Sequence, residues 1–132
     1  IYIVAHWVEK LLKDFGIDIL SLSDTIGSST SDVITWLFSK LIEEFPNVEF
    51  GAHLHSSPDN YLVKLQSAYD VGCKRFDGSL LGIGGCPMAK DDLVGNMATE
   101  KMIDFLNDKS ESLKLDNDSL QKCLDVARLI FQ

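Results

Sequence analysis

The chain is 132 residues long, 45% hydrophobic and 24% charged, which is enough for one hydrophobic core and too apolar for a disordered segment. A net charge of −8 excludes the clustered Lys and Arg that nucleic acid or an anionic membrane would require, so neither is expected as a partner. Three cysteines, Cys73, Cys86 and Cys123, form no CxxC pair and fit a reducing cytoplasm better than a disulfide framework or a zinc finger. Apolar runs fall short of the roughly 20 residues that a membrane helix needs. The first residue is Ile1, not Met, and a helical pattern starts almost at once, from which we expect further sequence upstream.

Trp7, Val8, Leu11, Leu12 and Phe15 recur at helical spacing and predict a first helix that Gly16 caps. Ile17 to Ser23 reads as a strand, with Asp24-Thr25-Ile26-Gly27 as a loop at its carboxyl end. Thr30 or Ser31 caps a second helix, whose buried stripe is Val33, Leu37, Leu41 and Phe45 and whose end is set by Pro46. Val48 to His55 is the second strand, and parity sends Val48, Phe50, Ala52 and Leu54 to a packed face and Glu49, Gly51, His53 and His55 to the other. Ser57-Pro58 opens a third helix through Tyr61, Leu62, Leu65, Ala68 and Tyr69, closed by Gly72. Lys74 to Ser79 is a third strand. Leu80 to Ala98 is a long stretch with four glycines, of a size expected of a functional or mobile loop. Thr99 opens a short helix with Met102, Ile103 and Leu106, and Asn107 to Asp118 is a polar linker. The last helix runs from about Ser119 to Phe131 with Leu120, Leu124 and Ala127 inward.

This alternation predicts a single α/β domain over residues 1–132, with parallel strands joined by right-handed crossovers and residues 119–132 as its terminal helix. The unusual polar residues follow strands, where open α/β sheets and α/β barrels place their sites. His53 and His55 share a strand face, so both imidazoles can converge on one divalent ion, although such a pair can equally satisfy backbone partners. Gly82, Gly84 and Gly85 permit tight folding of a loop that carries Cys86, either to present the thiol to a ligand or simply to turn the chain. Asn96 offers a carbonyl oxygen to a hard cation or acts as a turn residue. Asp24 can ligate, orient a ligand or cap, and Asp77 can hydrogen-bond inside the site or form a salt bridge.

In chain order, Ser21-Leu22-Ser23-Asp24-Thr25-Ile26-Gly27, Ala52-His53-Leu54-His55, Phe76-Asp77-Gly78-Ser79, Gly82-Ile83-Gly84-Gly85-Cys86-Pro87-Met88-Ala89 and Gly95-Asn96-Met97-Ala98-Thr99-Glu100 resemble 3-hydroxy-3-methylglutaryl-CoA lyase. The Gly-Gly-Cys-Pro loop separates that family from the isopropylmalate and homocitrate synthases, which share its barrel and its His-x-His ligands. The resemblance implies a (β/α)8 TIM barrel, of which this chain is the carboxyl-terminal part with strands six, seven and eight. It implies a divalent metal, Mg2+ or Mn2+, held by His53, His55 and Asn96, with a strand-one aspartate and a neighbouring catalytic arginine that have no counterpart here.

The implied reaction cleaves the acyl-CoA substrate to acetyl-CoA and acetoacetate. His53 assists proton transfer, Cys86 acts near the acetyl-CoA carbanion, Asp24 supports the site, and Gly82, Gly84 and Gly85 shape the substrate loop. The full-length enzyme is expected to be a homo-oligomer, a dimer. Two departures stand out: Ser56-Ser57-Pro58-Asp59 replaces the usual Asp-Thr and glycine after the second histidine, and the Cys86 to Asn96 interval is one residue longer through Lys90-Asp91-Asp92-Leu93. The alternatives are a related metal-dependent aldolase or acyl-CoA-condensing synthase of the same barrel, or a non-catalytic fragment.

Overall fold

One strand, β2 (Glu49–Ser56), organises the sheet because its neighbours on both sides pair with it. The computed structural model describes residues 2–85 and 94–131. β1 (Ile19–Asp24) runs parallel to β2 from Ile19 opposite Glu49 to Asp24 opposite Leu54, and β3 (Arg75–Phe76) runs parallel along its other edge. The last two residues of β2 then pair antiparallel with β4 (Gly95–Asn96), with His55 opposite Asn96 and Ser56 opposite Gly95. The parallel α/β alternation expected from the sequence is present, and the short antiparallel pair is an addition to it.

The helices are α1 (Tyr2–Phe15), α2 (Ser31–Glu44), α3 (Tyr61–Asp70), α4 (Thr99–Asp108) and α5 (Asn117–Ile130). A continuous core joins Ile34, Phe38 and Leu41 of α2 to Phe50, Ala52 and Leu54 of β2, Leu65 and Ala68 of α3, and Met97, Met102 and Phe105 around α4. Among the described residues, no helix is long and apolar enough to cross a membrane.

Several boundaries and faces differ from expectation, each for a local reason. In α1 only Val8 is buried, while Trp7 and Phe15 are exposed, because the helix meets the core along Val4, Ala5, Val8 and Leu12. Gly16 adopts φ +66°, and the Gly16 and Ile17 amides donate back to the Leu12 and Leu11 carbonyls. That cap consumes Ile17, so β1 starts at Ile19 and extends through Asp24. α2 buries Ile34, Phe38 and Leu41 fully, while Leu37 and Phe45 of the expected stripe pack partly buried against the core. Val33 is half exposed and, with Leu37, borders an open hollow lined by Leu22, Ser29 and Leu54.

Ser57 to Asn60 forms a turn, with the Asn60 side-chain oxygen accepting from the Ser57 amide and the Tyr61 amide donating to the Ser57 carbonyl, so α3 begins at Tyr61 and leaves Leu62 exposed. The third strand is two residues long, not the six of Lys74 to Ser79. After the Asp77 amide bonds the Ala52 carbonyl, Ser79 is drawn instead to Met97 and Thr99. Gly78 makes this swerve possible, since an added Cβ there would lie 2.6 Å from the Met97 carbonyl oxygen. Asp116 caps α5 by accepting from the Ser119 amide, which starts that helix at Asn117.

Cys73 lies in the core, where its thiol donates to the Arg75 carbonyl at 3.2 Å and burial pushes its pKa up to about 11. A raised pKa favours the neutral thiol, so its contribution to stability is whole below the unfolded thiol's pKa of about 8.5 and is lost as pH rises toward the folded value. Alkylation at pH 8 should therefore modify exposed Cys123 and spare Cys73, as read by mass spectrometry. The difference in burial along α2 is testable too. Ile34→Ala should cost about 2–5 kcal/mol in urea unfolding, whereas Val33→Ala should stay within about 1 kcal/mol.

Candidate active site

His53 and His55 project from one face of β2 with ring centroids 5.3 Å apart and planes inclined by 69°. The β2–β4 register sets Asn96 directly opposite His55, and opposed residues of an antiparallel pair share a face. Three of the sequence-derived site residues therefore meet at the carboxyl end of the central strand. The Asn96 Nδ2 group donates to the Ile83 carbonyl at 3.1 Å, and among the described residues nothing donates to its Oδ1, an oxygen of the kind a hard cation takes. His55 Nδ1 lies 2.8 Å from the Asp24 carbonyl oxygen. A carbonyl can only accept, so this nitrogen carries the proton and Nε2 keeps its lone pair, as in a metal-binding imidazole oriented by an outer partner.

His53 is the more open of the two, with a side chain 36% exposed against 7% exposure for residue His55. Its Nδ1 stands 3.9 Å from an Asp77 carboxylate oxygen that takes a 2.6 Å hydrogen bond from Ser21 Oγ. Arg75 Nε approaches the other oxygen at 3.7 Å. Gly51 lies between Ser21 and Arg75 in the sheet, and a Cβ there would come within 2.7 Å of Ser21 Oγ. A bare backbone at this point lets partners from both flanking strands reach Asp77.

Asp24 occupies a different position from that of a free ligand. Its carboxylate accepts a 2.7 Å bond from Lys64 Nζ and further bonds from the Ser29 amide and hydroxyl, with both charged side chains buried. Burial is the largest single influence and pushes the Asp24 pKa up, but the Lys64 and Ser29 hydrogen bonds with the Lys64 charge outweigh it and hold the carboxyl below its usual range. Through its main-chain oxygen the same residue orients His55.

Gly82, Gly84 and Gly85 pack against the segment that carries Asn96. Added Cβ atoms would lie 2.9 Å from the Asn96 carbonyl oxygen, 2.9 Å from Asn96 Nδ2 and 2.8 Å from the Val94 carbonyl oxygen, respectively. Gly84, at φ +92°, also accepts the Asn96 amide through its carbonyl. These glycines thus clamp the two stems of the 86–93 segment and place Asn96. Cys86 itself lies outside the described residues. A cleft beside the clamp is bordered by Ser57, Tyr61, Gly82, Asn96, Glu100 and Lys101.

Among the described residues, no three His, Cys, Asp or Glu side chains are grouped to hold a metal, so the candidate set depends on the Asn96 oxygen beside two imidazoles. Sequence reasoning missed Lys64, Ser21 and Ser29. Lys64 had a readable sign: it falls three residues after Tyr61 and beside Leu65, a charge within the apolar stripe of α3.

Residues 3–130 match the HMGL-like family. Hydroxymethylglutaryl-CoA lyase YngG of Bacillus subtilis is 34% identical over 93% of this chain and 40% of its own length. The crystal structure of the Bacillus subtilis HMG-CoA lyase superposes with a TM-score of 0.82 at 32% identity, covering 96% of this chain and 41% of that one. An Acinetobacter baumannii HMG-CoA lyase in complex with coenzyme A and 3-methylmalate gives a TM-score of 0.76 at 30% identity, with 89% and 38% covered. The chain spans about two fifths of the length of these relatives, and its parallel strands and helices match a portion of their TIM barrel. With its histidine strand, glycine clamp and paired asparagine in that setting, this chain belongs to the HMGL-like family, whose matched members include hydroxymethylglutaryl-CoA lyases and an (R)-citramalyl-CoA lyase.

Proposed function

We propose that the protein carrying this chain is a divalent-metal-dependent lyase that cleaves 3-hydroxy-3-methylglutaryl-CoA to acetyl-CoA and acetoacetate. The carrying observation is the β2–β4 pairing, which sets Asn96 opposite His55 on the strand face that His53 shares, with no other described residue hydrogen-bonded to His55 Nε2 or Asn96 Oδ1. Two imidazoles and an amide oxygen are a donor set suited to Mg2+ or, better for the nitrogens, Mn2+. A cation held there by His53, His55 and Asn96 would supply Lewis-acid stabilisation of negative charge on the substrate oxygens.

The chain's own residues account for the proton movements. His53, open to the site and backed by Asp77 and Ser21, assists loss of the proton from the substrate's tertiary hydroxyl to solvent. The bond between C2 and C3 then breaks, the former hydroxyl carbon becomes the ketone of acetoacetate, and the electron pair passes to the acetyl-CoA carbanion, which takes up a proton that Cys86 is placed in sequence to donate. His55 and Asn96 hold the ligand set in place, and Asp24 orients His55. The cleft beside Asn96 is open to receive the thioester arm.

The remaining strands are proposed to come from elsewhere in a longer, dimeric protein. Ile19 on β1 is half exposed, and the hollow bordered by Val33 and Leu22 is open, so the sheet has an edge and apolar surface for further barrel strands to cover.

With the full-length protein and Mn2+, acetoacetate should form from 3-hydroxy-3-methylglutaryl-CoA, chelation should abolish it, and His53→Ala should lower kcat by about 100-fold or more. Full-length protein that forms no acetoacetate, or forms it equally well after chelation, would falsify the proposal. The 132-residue chain alone should show no lyase turnover and weak Mn2+ uptake, both measurable by the same assay and by calorimetry.

A further inference from the structure

We propose that Lys64 is a positioning residue of the metal site, because its buried ammonium closes a ring of contacts with Asp24 and His55 that fixes the ring of the second histidine ligand; this rests on the function proposed above. Lys64 is 2% exposed. Its Nζ donates to Asp24 Oδ2 at 2.7 Å, to the Gly27 carbonyl at 2.8 Å and to the His55 carbonyl at 2.8 Å, which uses all three of its protons. These acceptors belong to the end of β1, the loop after it and the end of β2. The His55 ring, in turn, donates to the Asp24 carbonyl. Each of the three residues is thus tied to the other two, and the register of the two strand ends and the His55 tautomer are held by one circuit.

A purely structural residue at this place would not need a charge. The position adjoins Leu65 in the packed stripe of α3, where a methionine would fill the same space without the desolvation cost of an ammonium. What the apolar residue could not do is hold the main chain of His55 while anchoring the carboxylate of the residue that receives its ring proton.

The experiment uses the full-length protein, freed of metal, with Mn2+ affinity read by calorimetry and the His55 tautomer read by 15N NMR. Lys64→Met, and the uncharged pair Asp24→Asn/Lys64→Met should the single variant fail to fold, should bind Mn2+ about 10–100-fold more weakly. The Nδ1-protonated tautomer should give way to a mixture. Lys64→Arg should recover most of the affinity, and Leu65→Ala, which only loosens the core, should leave affinity and tautomer unchanged despite a lower Tm. Affinity within twofold of the parent in Asp24→Asn/Lys64→Met overturns the role of Lys64, as does a His55 tautomer other than Nδ1-protonated in the unaltered protein. Failure of the unaltered protein to take up Mn2+ overturns the proposed function instead.

Discussion

A charge buried under the carboxyl end of the sheet is the interaction on which the site depends. Lys64 and Asp24 side chains are 3% and 7% exposed, and removing one member of such a pair typically costs about 3–5 kcal/mol because the other is left buried and unpaired. The pair does not stand alone, since Ser29 adds two donors to Asp24 and the Gly27 and His55 carbonyls use the remaining Lys64 protons. No buried side-chain nitrogen or oxygen among the described residues is left without a partner. Complete satisfaction makes the network rigid, and rigidity is what the proposed metal site would require of two histidines two residues apart.

Around that network the fold uses small residues wherever two main chains must come close. Gly51 gives Ser21 and Arg75 access to Asp77 across the central strand, and Gly78 lets the chain leave β3 for the Met97 segment. Gly82, Gly84 and Gly85 bring one stem of the 86–93 segment against the other. The glycine-rich stretch therefore has a placement role besides any contact with a ligand: it sets where Asn96 stands.

The matched relatives share the TIM barrel, and this chain carries the part of it that contains the histidine strand and the glycine clamp. Ser56 and Ser57, which follow the second histidine, take main-chain roles here. Ser56 is buried opposite Gly95, and Ser57 closes the turn into α3. Lys64 lies in the first turn of α3, from which its buried ammonium reaches the His55 carbonyl at the strand end.

The period-two pattern of β2 by itself determined that Phe50, Ala52 and Leu54 face inward and that His53 and His55 share a face, because side-chain alternation in a strand is a local property. The α/β order was likewise local and legible, and of the two candidate caps, Thr30 and Ser31, the structure takes Thr30. Only the tertiary structure decided that Ile34 and Phe38 of α2 would be fully buried, with Leu37 partly buried and Val33 half exposed, since these positions are equally apolar until a sheet chooses between them. It also decided that β3 would end at Phe76, that Asn96 would lie opposite His55, and that a lysine in an apolar stripe would find three acceptors on two other elements. Those outcomes depend on partners distant in sequence, up to 41 residues away in the pairing of His55 with Asn96, and no local pattern encodes them.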